Sequence, residues 1–251
     1  MRACPKCTFA TGFPPGRAGR TIDHRLEGGN AGILPTAGRI ARRGHRTEET
    51  DALNRSASRP LLFAAGPLRA VELGVADVPS LQRFFETNPA YFVTVTGQPP
   101  GPDEAQAEMD DAPPAGWTWT SRWTIGFVDD ADALVGMASV VSDLLAVGIW
   151  HIGLFVTATA LHGTGTAYVL NDALESWARE RGAHWLRLGV VRGNARAERF
   201  WERVGYAEVR ERCGVPAGTR LGTIRVMVKP VRGGELADYL VRVPRDRPGA
   251  P

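Results

Sequence analysis

No stretch of this 251-residue chain approaches the roughly 20 consecutive apolar residues that a membrane-spanning helix requires. The N-terminus also lacks the apolar core of a secretory signal, so a cytoplasmic location is expected and no membrane partner. Cysteine is scarce: three residues are too few for a disulfide framework. Cys4 and Cys7 form one C-x-x-C, but no second such pair follows, and His24 and His45 sit at no finger spacing. No metal site is therefore expected. What remains is ordinary for a globular protein, with 43% apolar and 23% charged residues. The basic excess is local. Residues 1–60 hold 11 Lys/Arg against 5 Asp/Glu, whereas the other 191 residues hold 19 against 22.

Residues 1–60 are rich in Gly, Arg, Pro, Ala and Thr and sustain no period of 2 or 3.6. Such a segment buries too little apolar surface to offset its ordering entropy. It reads as a disordered basic extension. An overlong gene model, with translation starting near residue 60, explains the same composition equally well. An arm for nucleic acid would need interleaved aromatics or a folded reader, and it has neither, which disfavours that partner.

Beyond residue 60 the pattern becomes regular. LRAVEL (68–73) reads as a strand, and Asp77 caps a helix to about Asn88 with Pro79 in its first turn. NPAYFVTV (88–95) fits helix or strand, and Asp103 caps a short acidic helix to about Asp111. RWTIGFVD (122–129) and ALVGMASVVSD (133–143) make a hairpin around DDAD. IWHIGLFVT (149–157) is apolar almost throughout, as a central strand buried on both faces would be. A helix over about 165–181 follows, with Ala167, Leu170, Leu174, Trp177 and Ala178 at helical spacing and Gly182 ending it. Then come a strand at 184–191, a helix at 195–204 capped by Asn194, and two closing strands, 206–213 and 222–230. Residues 233–251, full of Gly, Pro and Arg, read as a flexible tail. The sum is an α/β fold with a mixed, mostly antiparallel central sheet flanked by helices. Strands 149–157 and 184–191 must run parallel, because a helix crosses between them.

The chemistry concentrates in residues 161–206. His162-Gly163-Thr164-Gly165-Thr166-Ala167 is a turn of small residues that opens a helix. Backbone amides there can converge on a pyrophosphate, with the helix dipole behind them. Gly163 and Gly165 permit positive φ and close approach. The next helix carries Asn194, Ala197, Phe200, Trp201, Gly205 and Tyr206. Together the two runs resemble the acyl-CoA site of the GNAT superfamily of N-acetyltransferases, whose loop reads Arg/Gln-x-x-Gly-x-Gly/Ala. That family's following helix reads Asn-x-x-Ala-x-x-Phe-Tyr-x-x-x-Gly-Phe. The resemblance covers roughly residues 66–232.

The resemblance implies a GNAT-like fold in which the two parallel strands splay. It implies acetyl-CoA as cosubstrate in the gap, no metal, and a primary amine of a small molecule or protein as acceptor, in a monomer or homodimer. It implies pantetheine along the backbone of Phe155, Val156 and Thr157, and pyrophosphate on His162, Gly163, Thr164, Gly165, Thr166 and Ala167. Asn194 would meet the pantetheine amide or serve as a plain helix cap. Two positions depart from the pattern. His162 replaces Arg or Gln and offers less charge. Trp201 stands where the family often has the Tyr that protonates the leaving thiol, and an indole N–H cannot do so. For the base, His151 lies on the central strand with an ordinary pKa near 6.5, suited to the task, although a buried structural histidine fits as well. Asp143 is the second candidate. On the acceptor side, Tyr91 and Phe92 would line the slot or join the core. The run Asp103, Glu104, Glu108, Asp110, Asp111 would attract a cationic amine or simply face water. The alternative from a different class is an acyl-CoA-binding module with little or no turnover.

Overall fold

The computed structural model describes residues 59–250, so the basic extension expected at 1–60 lies, except for its last two residues, outside the described residues. Eight strands form one sheet in the order β1-β2-β3-β4-β5-β6-β8-β7. In chain order the elements are β1 (Leu61–Ala65), β2 (Leu68–Glu72), α1 (Val78–Thr87), α2 (Ala90–Thr96), α3 (Glu104–Asp110), β3 (Arg122–Val128) and β4 (Leu134–Val141). There follow β5 (Ile149–Thr157), α4 (Thr166–Glu180), β6 (Trp185–Val191), α5 (Ala195–Arg203), β7 (Ala207–Ala217), β8 (Arg220–Pro230) and α6 (Leu236–Arg242). Neighbouring strands are antiparallel except β5 and β6, which are parallel as the crossover helix requires. No helix among the described residues is long and apolar enough to cross a membrane.

Helices cover both faces of the sheet. On one, Leu170, Leu174 and Trp177 of α4 pack on Trp150, Ile152, Leu186 and Leu188. On the other, Leu81, Phe84, Phe85 and Phe92 of α1 and α2 pack on Val71, Met137, Leu154 and Val156. The central strand serves both faces through a bulge. Ser139 pairs with Leu154, but the next residue, Val140, pairs with Ile152, so Gly153 is left over. An extra residue reverses the alternation of side chains. Before it Trp150 and Ile152 face α4; after it Leu154 and Val156 face α1 and α2.

The splay implied by the resemblance is present. β5 pairs with β6 only from Ile149↔Trp185 to Ile152↔Leu188. Beyond that, β5 continues on β4 to Thr157, and β6 continues on β8 to Val191. Gly153 and Gly189, at the point of parting, are exposed within strands whose other residues are buried or half-buried.

One part left open by the sequence is decided, and two differ from the expectation. Residues 88–95, balanced between helix and strand, form α2, which stops at Gly97 in a left-handed conformation (φ +84°). The folded body starts before residue 66, because β1 adds to the sheet edge. Arg59, with 7% of its side chain exposed, bridges Asp77 at 2.8 Å and Asp132 at 2.9 Å. The tail expected to be flexible from residue 233 is packed instead. Tyr239 of α6 and Val243 just past its end, four apart, complete a third core with Ile149, Trp185 and Val228. Composition alone missed that spacing.

Candidate active site

Where β5 and β6 part, a cleft of about 660 Å³ opens, bordered by α2, the Phe155–Thr157 end of β5, the loop before α4, and α5. Phe155, Val156, Thr157, His162, Gly163, Gly165, Ala167, Asn194, Trp201 and Tyr91 all line it, so positions up to 110 residues apart converge. A second depression of about 430 Å³, between β1 and α4, gathers none of these residues.

The loop is built for an anion. Gly163 and Gly165 have φ of +84° and +87°. A Cβ on either would meet no protein atom within 4 Å, so the backbone conformation requires glycine and the space above stays open. The N–H groups of Gly163, Gly165 and Ala167 find no hydrogen-bond acceptor among the described residues. They sit at the first turn of α4, at its positive dipole end. The threonines brace the turn: the Thr164 hydroxyl donates to the Leu161 carbonyl at 2.7 Å and accepts from the Thr166 hydroxyl at 2.8 Å. On its β6-facing edge, β5 past Ile152 has no partner strand, which leaves an extended edge for an amide-bearing chain.

The charge that His162 lacks comes from elsewhere. Arg196, the second residue of α5, places Nη1 2.7 Å from His162 Nδ1. Nδ1 therefore accepts, and the ring is neutral; burial and the Arg196 cation both hold its pKa below the ordinary value. Arg199 and Arg203 join Arg196 along the same wall of the cleft. These arginines were not singled out from sequence, although their 196, 199, 203 spacing puts them on one helix face. Asn194 accepts from the Ala197 N–H at 3.2 Å, as an N-cap does, and also borders the cleft.

Trp201 is packed, with 7% exposure. Its ring lies edge-on to Phe155 (5.6 Å) and Tyr206 (5.0 Å), while Phe155 stacks on Phe200 at 6.1 Å. Of the two acceptor-side aromatics, Tyr91 reaches the cleft, whereas Phe92 turns into the core against Phe85 at 4.9 Å.

His151 and Asp143 do not line the cleft. His151 points to the α6 side of the sheet, where its Nδ1 donates to the Arg187 carbonyl at 3.1 Å. Burial and the Arg187 cation, with Nη1 at 3.3 Å, push its pKa down to about 3. Asp143 adopts φ +53° and accepts from the Gly148 N–H at 2.7 Å, closing the turn between β4 and β5.

Residues 83–206 match the model of the acetyltransferase (GNAT) family. The fold is shared with an acetyltransferase from Thermus thermophilus, at 20% identity and a TM-score of 0.52 over 66% of this chain and 98% of that one. It is shared also with the spermidine N-acetyltransferase from Vibrio cholerae in complex with CoA and spermine, at 15% identity and a TM-score of 0.50 over 65% and 95%. No curated protein sequence matches the chain. The matched segment runs from α1 to the end of α5 and spans the cleft, so this domain is similar to acetyltransferases of the GNAT family.

Proposed function

We propose that the protein is an N-acetyltransferase that moves an acetyl group from acetyl-CoA to a primary amine of a small molecule or protein. One observation carries this reading: the gap between β5 and β6 leads directly to the unbonded amides of Gly163, Gly165 and Ala167. A strand edge followed by an anion cradle suits a ligand with an amide-containing arm and a pyrophosphate. Arg196, Arg199 and Arg203 add the cationic wall that its phosphates call for. Acetyl-CoA, when bound, supplies the thioester carbonyl. The chain's part is to hold that group at the parting of the strands, shield it behind Phe155, Phe200 and Trp201, and bring the amine in past Tyr91. Packed Trp201 offers no acid to the leaving sulfur, which favours the alternative of a binding module with little turnover.

The full chain should gain several degrees of thermal stability from millimolar acetyl-CoA and release thiol when amines are added. Stabilisation without thiol release would select the binding module, and no stabilisation would refute both. Within the same reading, Arg196→Ala should raise the Kd for acetyl-CoA about fivefold, on the order of 1 kcal/mol, by calorimetric titration. That loss should shrink at 0.5 M salt, because the contact is a solvent-exposed charge pair.

A further inference from the structure

His162 and Arg196 come from the two sides of the gap. His162 lies in the turn after β5, next to Gly163, the first of the unbonded amides. Arg196 lies in α5, which follows β6. The two strands have parted by then, since their pairing ends at Ile152↔Leu188. Both side chains line the cleft, and Arg196 Nη1 stands 2.7 Å from His162 Nδ1. That bond ties the two sides together beside the turn of small residues.

The hydrogen bond by itself fixes the charge of the ring. A guanidinium only donates, so Nδ1 accepts, and an imidazole that accepts at one nitrogen is neutral. A neutral ring is a modest partner for Arg196. Phosphate oxygens are better ones, because they are charged and take two N–H bonds from one guanidinium.

The other groups around the ring leave it as the titrating member. From α5, Arg196, Arg199 and Arg203 line the cleft; from α4, Tyr168 does, and from α2, Tyr91. At the end of β5 the Thr157 carbonyl takes a hydrogen bond from the ring. No Asp, Glu or Lys is among the described residues that line the cleft. His162 is thus the one lining group among them whose ordinary pKa falls between pH 5 and 8. Burial and the Arg196 cation hold that pKa below the ordinary value, against the Thr157 bond.

We propose that His162 and Arg196 form a proton-linked latch on the cofactor site: with phosphate groups on the Gly163, Gly165 and Ala167 amides, Arg196 leaves the imidazole for them, and the freed Nδ1 takes up one proton from solvent. This rests on the reading of the cleft as an acetyl-CoA site. Two cations then face the phosphates instead of one, so the histidine delivers in the complex the charge that it lacks before. Only hydrogen bonds and one N–H bond change. Arg or Gln at this position could not act in this way, the first being charged and the second neutral at every relevant pH. The sign follows from linkage. A group whose pKa is higher in the complex than in the free protein strengthens binding as pH falls through the higher value, and the gain is complete below the lower one. Acetyl-CoA is therefore held more tightly at pH 6 than at pH 8.

Calorimetric titration of the full chain with acetyl-CoA at pH 6.5, in PIPES and in ACES, counts the protons taken up on binding, because the two buffers differ in ionisation enthalpy. The 3′-phosphate of the ligand titrates near pH 6 and adds its own change. The decisive number is the difference between the unmutated protein and His162→Gln, whose amide oxygen can accept from Arg196 but takes no proton. It should be about half a proton per molecule bound, and 3′-dephospho-acetyl-CoA should give the same difference. Between pH 8 and pH 6 the unmutated protein should gain about fivefold more affinity than His162→Gln. A ring-proton NMR titration should show the His162 pKa rising when acetyl-CoA is added, and this decides the matter alone if the Gln variant does not fold. In the free protein Arg196→Ala should raise the same pKa and so reduce the uptake. Equal uptake in the protein and His162→Gln, a His162 pKa that acetyl-CoA leaves in place or lowers, or an uptake undiminished in Arg196→Ala overturns the latch. A folded chain that binds no acetyl-CoA at either pH refutes the cofactor reading itself, before any variant is compared.

Discussion

Replacing Asp246 with alanine is expected to cost about 3–5 kcal/mol of folding stability, the scale for removing one partner of a buried ion pair. Asp246 is fully buried and accepts from Arg187 Nε at 2.7 Å and Nη2 at 3.2 Å, from the Tyr239 hydroxyl at 2.6 Å, and from Arg212 at 3.3 Å. Its loss leaves the Arg187 guanidinium, 5% exposed, without a counter-charge inside the sheet. Burial by itself would raise the Asp246 pKa; the Arg187 cation and the hydrogen bonds from Arg187 and Tyr239 outweigh it and hold the value at about 2. A depressed folded-state pKa stabilises the protein above the ordinary aspartate value near 3.9, and that contribution is lost as pH falls from about 4 through about 2. Urea denaturation of the alanine variant at pH 7 and pH 3 gives both numbers, and the gap from the unmutated protein should narrow at the lower pH. A cost under about 1 kcal/mol would mean that the C-terminal segment is only loosely attached to the sheet.

Gly165→Val should weaken acetyl-CoA binding by at least about tenfold, or roughly 1.4 kcal/mol. Two effects combine. A β-branched residue at φ +87° is strained by roughly 1–3 kcal/mol and tends to pull the turn out of shape. The new methyl groups would also occupy the open space above the Gly163, Gly165 and Ala167 amides, where the pyrophosphate is proposed to sit. Because no protein atom stands there, the steric penalty falls on the ligand. Gly165→Ala, with the same strained backbone but less bulk, should lose less affinity. Calorimetric titration against acetyl-CoA, with melting curves to follow the fold, separates the two effects. Unchanged affinity in the valine variant would reduce the loop to a simple connector between β5 and α4.

The local code was legible because it is written in neighbouring residues. The apolar run at 149–157 is the strand as observed, and the helices after Gly165 and Asn194 fall within a residue or two of their expected bounds. The parallel pairing of β5 and β6 follows from the helix between them, through the handedness and reach of a crossover. The Gly-rich turn was readable too, since φ near +85° is a requirement on single residues.

Tertiary structure alone decided which distant side chains meet. Arg196 comes to His162 across 34 positions, and Arg187 to Asp246 across 59. Neither pairing leaves a local signature. His151 illustrates the reason. Its strand position and ordinary pKa suited a base, but the bulge at Gly153 reverses the alternation of side chains one residue pair later. Ahead of the bulge, the parallel register of β5 on β6 pairs His151 with Arg187, where burial and a neighbouring cation depress its basicity. The same bulge leaves Gly153 unpaired and exposed where β5 leaves β6. Periodicity determines the face each residue presents within its own element. Register between elements, and the dielectric and charges that packing then imposes, determine what that residue can do chemically.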